Sequence, residues 1–288
     1  MNRVLPYGAL AISIVSFCVG TSFAKQLFPM IGAEGTIAYR AGFSAVILVA
    51  FLRPWRSRLS GRDLLRIMRY GAALGLANLF FYMSLRTIPI GLAIAIEFLG
   101  PLVVALIHSR KPAHFAMVGL ALAGLLLLLP SPTGQNALDP EGIAFAAAAG
   151  VAWGLYIVFA KKTAHLPGYQ AVSLGMVTAA LVVVPFGIHA AGATLLTPSL
   201  LVTGLAVALV SSAIPYTFEM FAIRSIPANV FGVLLSLEPV VGAIAGRALL
   251  GEVLTSLQWL AIILVMMASV GVVITTRTPK HGMPAAGA

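Results

Sequence analysis

From residue 5 to residue 276 the chain is a succession of apolar runs, each about 20 residues long, the length at which a helix crosses the hydrocarbon of a bilayer. Glycine and proline punctuation divides them into ten predicted helices, at about 5 to 25, 33 to 52, 67 to 86, 89 to 109, 113 to 130, 142 to 162, 169 to 190, 198 to 222, 228 to 249 and 256 to 276. Only 9% of the residues are charged, against about 25% in a soluble domain, so an ordinary water-soluble core is excluded. Ten spans use roughly 200 of the 288 positions, which leaves short connectors and no room for a large extramembrane domain. The expected class is therefore all-α, a polytopic protein embedded in a lipid bilayer.

The formal charge of +10 is distributed as a topology signal. With the N-terminus inside, fourteen of the eighteen basic residues face the cytoplasm: Arg3, Arg53, Arg56, Arg58, Arg62, Arg66, Arg69, Arg110, Lys111, Lys161, Lys162, Arg224, Arg277 and Lys280. Lys25, Arg86 and Arg247 fall at the outer face and Arg40 within a span, so both termini are expected in the cytoplasm. A nucleic-acid partner is not expected, because most spans carry no basic residue at all. Met1 to Lys25 reads as a retained first helix, since no convincing small-residue cleavage site follows it and further apolar runs do. Cys18 is the sole cysteine, which excludes an internal disulfide and a cysteine metal cluster.

The chain repeats itself. A shift of 138 aligns Leu85, Arg86, Thr87, Ile88 and Pro89 with Ile223, Arg224, Ser225, Ile226 and Pro227, and also Pro101 with Pro239, Val103 with Val241 and Ala105 with Ala243. A shift of 136 sets Phe23, Ala24 and Lys25 on Phe159, Ala160 and Lys161. The expected units are a first five-helix repeat over 1–134, a second over 138–276 and a cytoplasmic tail over 277–288. Five is an odd number, so the second repeat enters the membrane from the opposite side. Inverted repeats are a recurring plan of secondary transporters, with the substrate site near the midplane.

An ionisable group within a span costs at least about 2.5 kcal/mol on insertion scales and is a functional candidate by default. Four qualify: Arg40, Glu97, Glu219 and Glu238. Glu97 precedes Gly100 and Pro101, and Glu238 precedes Pro239, so each lies beside a proline that frees a backbone carbonyl. Ser212, Pro215, Tyr216 and Glu219 form a polar stripe at helical spacing, either a binding face or an interfacial edge. Arg40 suits either the carboxylate of a substrate or a fixed pair with a glutamate. Asn78 with Tyr82, and Trp153 with Tyr156, share helix faces and serve either a substrate wall or plain packing. Lys25 and Lys161 read as topological anchors. There is no phosphate-binding glycine loop, no metal-type histidine spacing and no nucleophile–base set, so no cofactor, metal or enzymatic activity is expected.

These motifs carry a resemblance. The paired Arg-Thr/Ser-Ile-Pro turns, Glu97 to Pro101, Leu237 to Pro239 and the closing Gly251 and Glu252 resemble the drug/metabolite transporter superfamily, specifically its paired EamA-type repeats. Ala24 to Pro29, Phe51 to Arg56, Ile94 to Ala105 and Ser211 to Met220 are most similar to its threonine- and homoserine-exporting members. The resemblance implies a bacterial inner-membrane exporter of small amino acids driven by the proton-motive force, with amino acid and protons as its partners. The alternative it leaves open is another small metabolite, or a drug-like compound, moved on the same fold.

Overall fold

The computed structural model describes residues 5–56, 59–107, 112–127, 138–223, 226, 231 and 234–275. Several features read from the sequence lie outside the described residues: Arg3, Arg58, Arg110, Lys111, Arg224, Ser225, Pro227, Arg277, Lys280, the beginning of the span predicted from 228, and the tail.

Among the described residues every element is helical. In chain order these are α1 (Leu5–Lys25), α2 (Phe28–Leu52), α3 (Gly61–Ser84), α4 (Ile90–Glu97), α5 (Leu99–Ile107), α6 (Pro112–Leu126), α7 (Pro140–Lys162), α8 (Gly168–Ala191), α9 (Pro198–Ala208), α10 (Ile214–Ile223), α11 (Glu238–Leu250) and α12 (Ser256–Thr275). Among the described residues six stretches are long and apolar enough to cross a membrane: α1, α2, α3, α7, α8 with its 3₁₀ extension, and Pro198–Glu219. Shorter apolar helices cover Ile90–Val104, Phe115–Leu126 and Ser256–Val272. Large apolar side chains such as Phe51, Val151, Leu181 and Val202 stay exposed on the outside of the bundle, where lipid rather than water would meet them. The protein is an all-helical, multi-pass membrane protein.

Local chemistry accounts for the departures from the predicted spans. α2 starts at Phe28 rather than 33 but is broken at Gly32, whose φ of 70° and ψ of 176° no other residue type adopts cheaply. α3 begins six residues earlier than predicted because Ser60 caps it, accepting from the Asp63 N–H at 3.1 Å while its hydroxyl donates to the Asp63 carboxylate at 2.7 Å. The span predicted over 89–109 is split between α4 and α5 at Phe98. Pro101 has no N–H to return to the Glu97 carbonyl, so the helix cannot run through. A five-residue π-turn, Leu209–Ala213, separates α9 from α10.

The halves interleave. α1 packs on α10 and α11, α2 on α8, α3 on α7 and α8, α4 on α11 and α7, and α6 on α12. Close approach is bought by small residues at the crossings. A Cβ on Gly100 would strike the Gly150 carbonyl, so α5 and α7 touch backbone to backbone next to Glu97.

Candidate functional site

A cavity of about 600 Å³ opens among α1, α3, α4, α5, α7, α10, α11 and α12, reaching from Ser13 and Phe17 in the middle of α1 to Lys161 at the end of α7. Glu97, Glu219 and Glu238 all line it. Glu97 is the last residue of α4 and Glu238 the first of α11, so two of the three stand at helix ends created by neighbouring prolines. Glu238 enjoys the positive end of its helix, whereas Glu97 faces the negative end of its own. No carboxylate of the three makes an ion pair with any described residue, and the four ion pairs found among described residues lie elsewhere. They do not cluster tightly enough with other ligands to hold a metal ion among the described residues. Like charges within one low-dielectric chamber oppose one another, so a cation entering the chamber relieves repulsion as well as forming its own contact.

The remaining wall is aromatic and amide in character. Trp153 stands edge-on to Phe98, with ring centroids 5.0 Å apart at 87°, and Tyr156 lies 5.1 Å from Tyr70. Asn78 and Tyr216 complete the wall. Seven of the ten candidates from the sequence thus face one space.

Arg40, Ser212 and Tyr82 stand behind that wall. Arg40 is only 2% exposed and is in none of the four ion pairs among the described residues, so the fixed pair with a glutamate is not formed. Its Nε donates to Ser212 Oγ at 2.6 Å, Nη1 to Asn78 Oδ1 at 3.0 Å and Nη2 to the Ser211 carbonyl at 2.9 Å. Its guanidinium carbon also lies 5.2 Å from the Phe17 ring and 5.4 Å from the Tyr82 ring. The Ser211 carbonyl is available because Pro215, four residues on, cannot donate to it. The same segment's Val210 and Pro215 carbonyls accept from Ser16 and Ser13 of α1 at 2.6 and 2.9 Å. The polar stripe read from the sequence is therefore divided by the π-turn: Ser212 holds the arginine, while Tyr216 and Glu219 face the cavity. Asn78 belongs to both layers.

The opposite end of α1 is closed. Lys25 Nζ meets Glu252 Oε1 at 2.7 Å and the Ile88 carbonyl at 3.3 Å, and Glu252 Oε2 accepts from the Ile90 N–H, the first of α4, at 3.0 Å. Gly251, at φ 69°, ends α11 in a left-handed cap that turns Glu252 back, and Gly246 leaves the room its carboxylate fills. Lys25 is thus more than the anchor expected of it: it ties together the ends of α1, α4 and α11.

The profile of the EamA-like transporter family matches residues 140–274. The threonine/homoserine exporter RhtA of Escherichia coli (strain K12) is 42% identical over 273 residues, covering 95% of this chain and 92% of that protein. This chain belongs to the EamA-like transporter family. RhtA of Salmonella typhimurium (strain LT2) is likewise 42% identical over the same shares. The aromatic amino acid exporter YddG of Ancylobacter novellus is 28% identical over 157 residues, about half of each chain at 51% and 52%. A solved crystal structure superposes with a TM-score of 0.56 at 17% identity, over 96% of this chain and 99% of the other, which supports the fold alone.

Within this EamA-like chain, sequence reasoning missed Ser13, Phe17 and Ser269 as cavity residues and Lys161 as a lining cation. Serines on an apolar helix carry no signal of direction. Lys25 and Glu252 were each noticed, but 227 residues separate them and only helix packing brings them together.

Proposed function

We propose that this protein is a secondary active exporter of small amino acids of the threonine and homoserine type, working by proton antiport in a bacterial inner membrane. The observation that carries the reading is the 42% identity, over nearly the whole length of both chains, to threonine/homoserine exporters. The cavity supports it independently. An amino acid is a zwitterion, and its ammonium suits carboxylates that have no ion-pair partner among the described residues, Glu97 and Glu238 first and Glu219 next. Its carboxylate suits the Asn78 amide and the Tyr216 phenol, and Arg40 holds that amide from behind without lining the cavity.

Coupling follows from competition. A carboxyl group that has taken a proton cannot also hold the ammonium as an ion pair, so proton entry expels substrate and substrate entry expels the proton. One proton returning through about 100 mV supplies roughly 2.3 kcal/mol, close to a fifty-fold gradient. The architecture that goes with this is ten spans in two inverted repeats, 1–134 and 138–276, with α4 and α5 forming one broken span, the α9–π–α10 stretch another, and both termini in the cytoplasm. In that orientation the cavity opens inward, past Lys161, and Lys25 and Glu252 lie at the outer end.

A second reading, another small metabolite on the same fold, is favoured by the aromatic wall of Phe98, Trp153 and Tyr156 and by the partial similarity to an aromatic amino acid exporter. Proteoliposomes loaded with radiolabelled threonine or homoserine test the first reading. Efflux that accelerates under an imposed inward proton gradient is expected; no movement of either, with counterflow of an aromatic amino acid, transfers the assignment to the second.

A further inference from the structure

α1 and α7 are matched by the 136-residue shift that aligns Lys25 with Lys161, and the same shift sets Phe17 on Trp153 and Thr21 on Ile157. Each trio is spaced at four residues and so shares one face of its helix. On α7 the whole face, Trp153, Ile157 and Lys161, lines the open cavity. Of the α1 trio only Phe17 reaches it. Thr21, one turn further, has no exposed surface, and its hydroxyl finds no hydrogen-bond partner among the described residues. Lys25, another turn on, is held by Glu252 and the Ile88 carbonyl. Tyr82, one turn beyond the cavity residue Asn78 on α3, repeats the pattern: fully buried, with a hydroxyl that has no partner among the described residues.

A buried hydroxyl without a partner costs roughly 1–3 kcal/mol, a penalty without purpose if this packing were permanent. In an inverted repeat the two ends of the path exchange roles between states, so a face that is open on one repeat marks the face that opens on the other. We propose that the Lys25–Glu252 ion pair, together with the Ile90 N–H, is the outer gate, and that opening it turns the Phe17–Thr21–Lys25 face of α1, with the Tyr82 hydroxyl, into the wall of an outward vestibule. The gate closes three helix ends at once, so its release frees α1 from α4 and α11 together. In the outward state Thr21 and Tyr82 offer the departing solute the hydrogen bonds they lack here. This deepens the transport reading and rests on it for the orientation of the membrane.

The test needs no transported amino acid. In a Cys18→Ala background, which removes the sole native thiol, Thr21→Cys is labelled with a membrane-impermeant maleimide applied from outside in right-side-out vesicles. Adding Glu252→Gln, which keeps an acceptor for the Ile90 N–H but removes the charge, is expected to speed labelling about tenfold, the change in the open-to-closed ratio equivalent to about 1.4 kcal/mol. Lys25→Gln is expected to do the same and covers a failure of the first variant to fold. Ile157→Cys, labelled from the cytoplasmic side in inverted vesicles, is the control for a folded, accessible path. Unchanged Thr21→Cys labelling in both gate variants, with Ile157→Cys still reactive, overturns the proposal, as does Thr21→Cys labelling only from the cytoplasmic side. Faster outside labelling from a protein that moves neither threonine nor homoserine leaves the gate standing and removes only the substrate assignment.

Discussion

Arg40 and the glutamates of the cavity are membrane charges in adjoining layers, yet their surroundings are opposite. The guanidinium has a hydroxyl, an amide and a carbonyl within hydrogen-bond distance and aromatic rings on its flanks. Glu97, Glu219 and Glu238 line open space with no ion-pair partner among the described residues. A charge whose every neighbour is supplied by the fold holds the fold together. A charge left waiting is available to a ligand or a proton, and the cost of leaving it so is the usual mark of a transport site.

The sharpest way to break that contrast is Arg40→Ala. Removing the guanidinium strands the buried groups that accept from it, each at about 1–3 kcal/mol, so a collapse in the yield of monodisperse protein is expected. Arg40→Lys, which keeps the charge but not the fork of donors, is expected to rescue it poorly. A stable Arg40→Ala protein that has merely lost transport would move the arginine into the substrate's own shell. Next in size are Glu97→Gln and Glu238→Gln. Neither breaks an ion pair with a described residue, so thermal stability is expected to change by less than about 1 kcal/mol. Gradient-driven export, worth about 2.3 kcal/mol per proton at 100 mV, is expected to fall to simple equilibration. Ser212→Ala removes one of the arginine's bonds and is expected to cost about 2 kcal/mol in a thermal melt while leaving coupling intact.

The smallest effect belongs to a charge that is neither buried nor waiting. Asp139 caps α7, accepting from the Glu141 and Gly142 N–H groups at 3.4 and 3.3 Å. A side-chain hydrogen bond from Thr87, and then those backbone bonds, hold its carboxyl below the usual carboxylate range. A lowered value means that the ionised cap stabilises the protein above the unfolded-state pKa and loses that contribution as pH falls through the folded one. Asp139→Ala is therefore expected to lower the melting temperature slightly at neutral pH, with the difference from the native chain vanishing in acid.

How much of this was legible follows the same division. Glu97, Glu219 and Glu238 announce themselves because a carboxylate in an apolar run has few innocent explanations, whereas the breaks beside Pro101 and Pro239 fall inside spans that the apolar runs predict as continuous. Arg40 announced itself too, but its partners could not be read. One of them is the Ser211 carbonyl, a backbone atom released by Pro215 only because a π-turn lets α10 start afresh. Ser212, which ideal helical spacing places with Tyr216 and Glu219, is taken up by Arg40 and does not line the large cavity. The Lys25–Glu252 tie depends on α1 meeting α11, and the order in which helices pack leaves no period in the sequence. The break at Gly32 was equally silent until its backbone angles were known.

The central claim, that the carboxylates of the cavity exchange protons for substrate, is tested most directly by recording both fluxes at once. Proteoliposomes loaded with radiolabelled threonine and an entrapped pH indicator would report efflux and lumenal acidification together. The account predicts that threonine release acidifies the lumen in fixed proportion, and that Glu97→Gln abolishes the acidification while exchange of labelled for unlabelled threonine persists. Threonine release with no proton movement, or unaltered coupling in the Glu97→Gln and Glu238→Gln proteins, would contradict it.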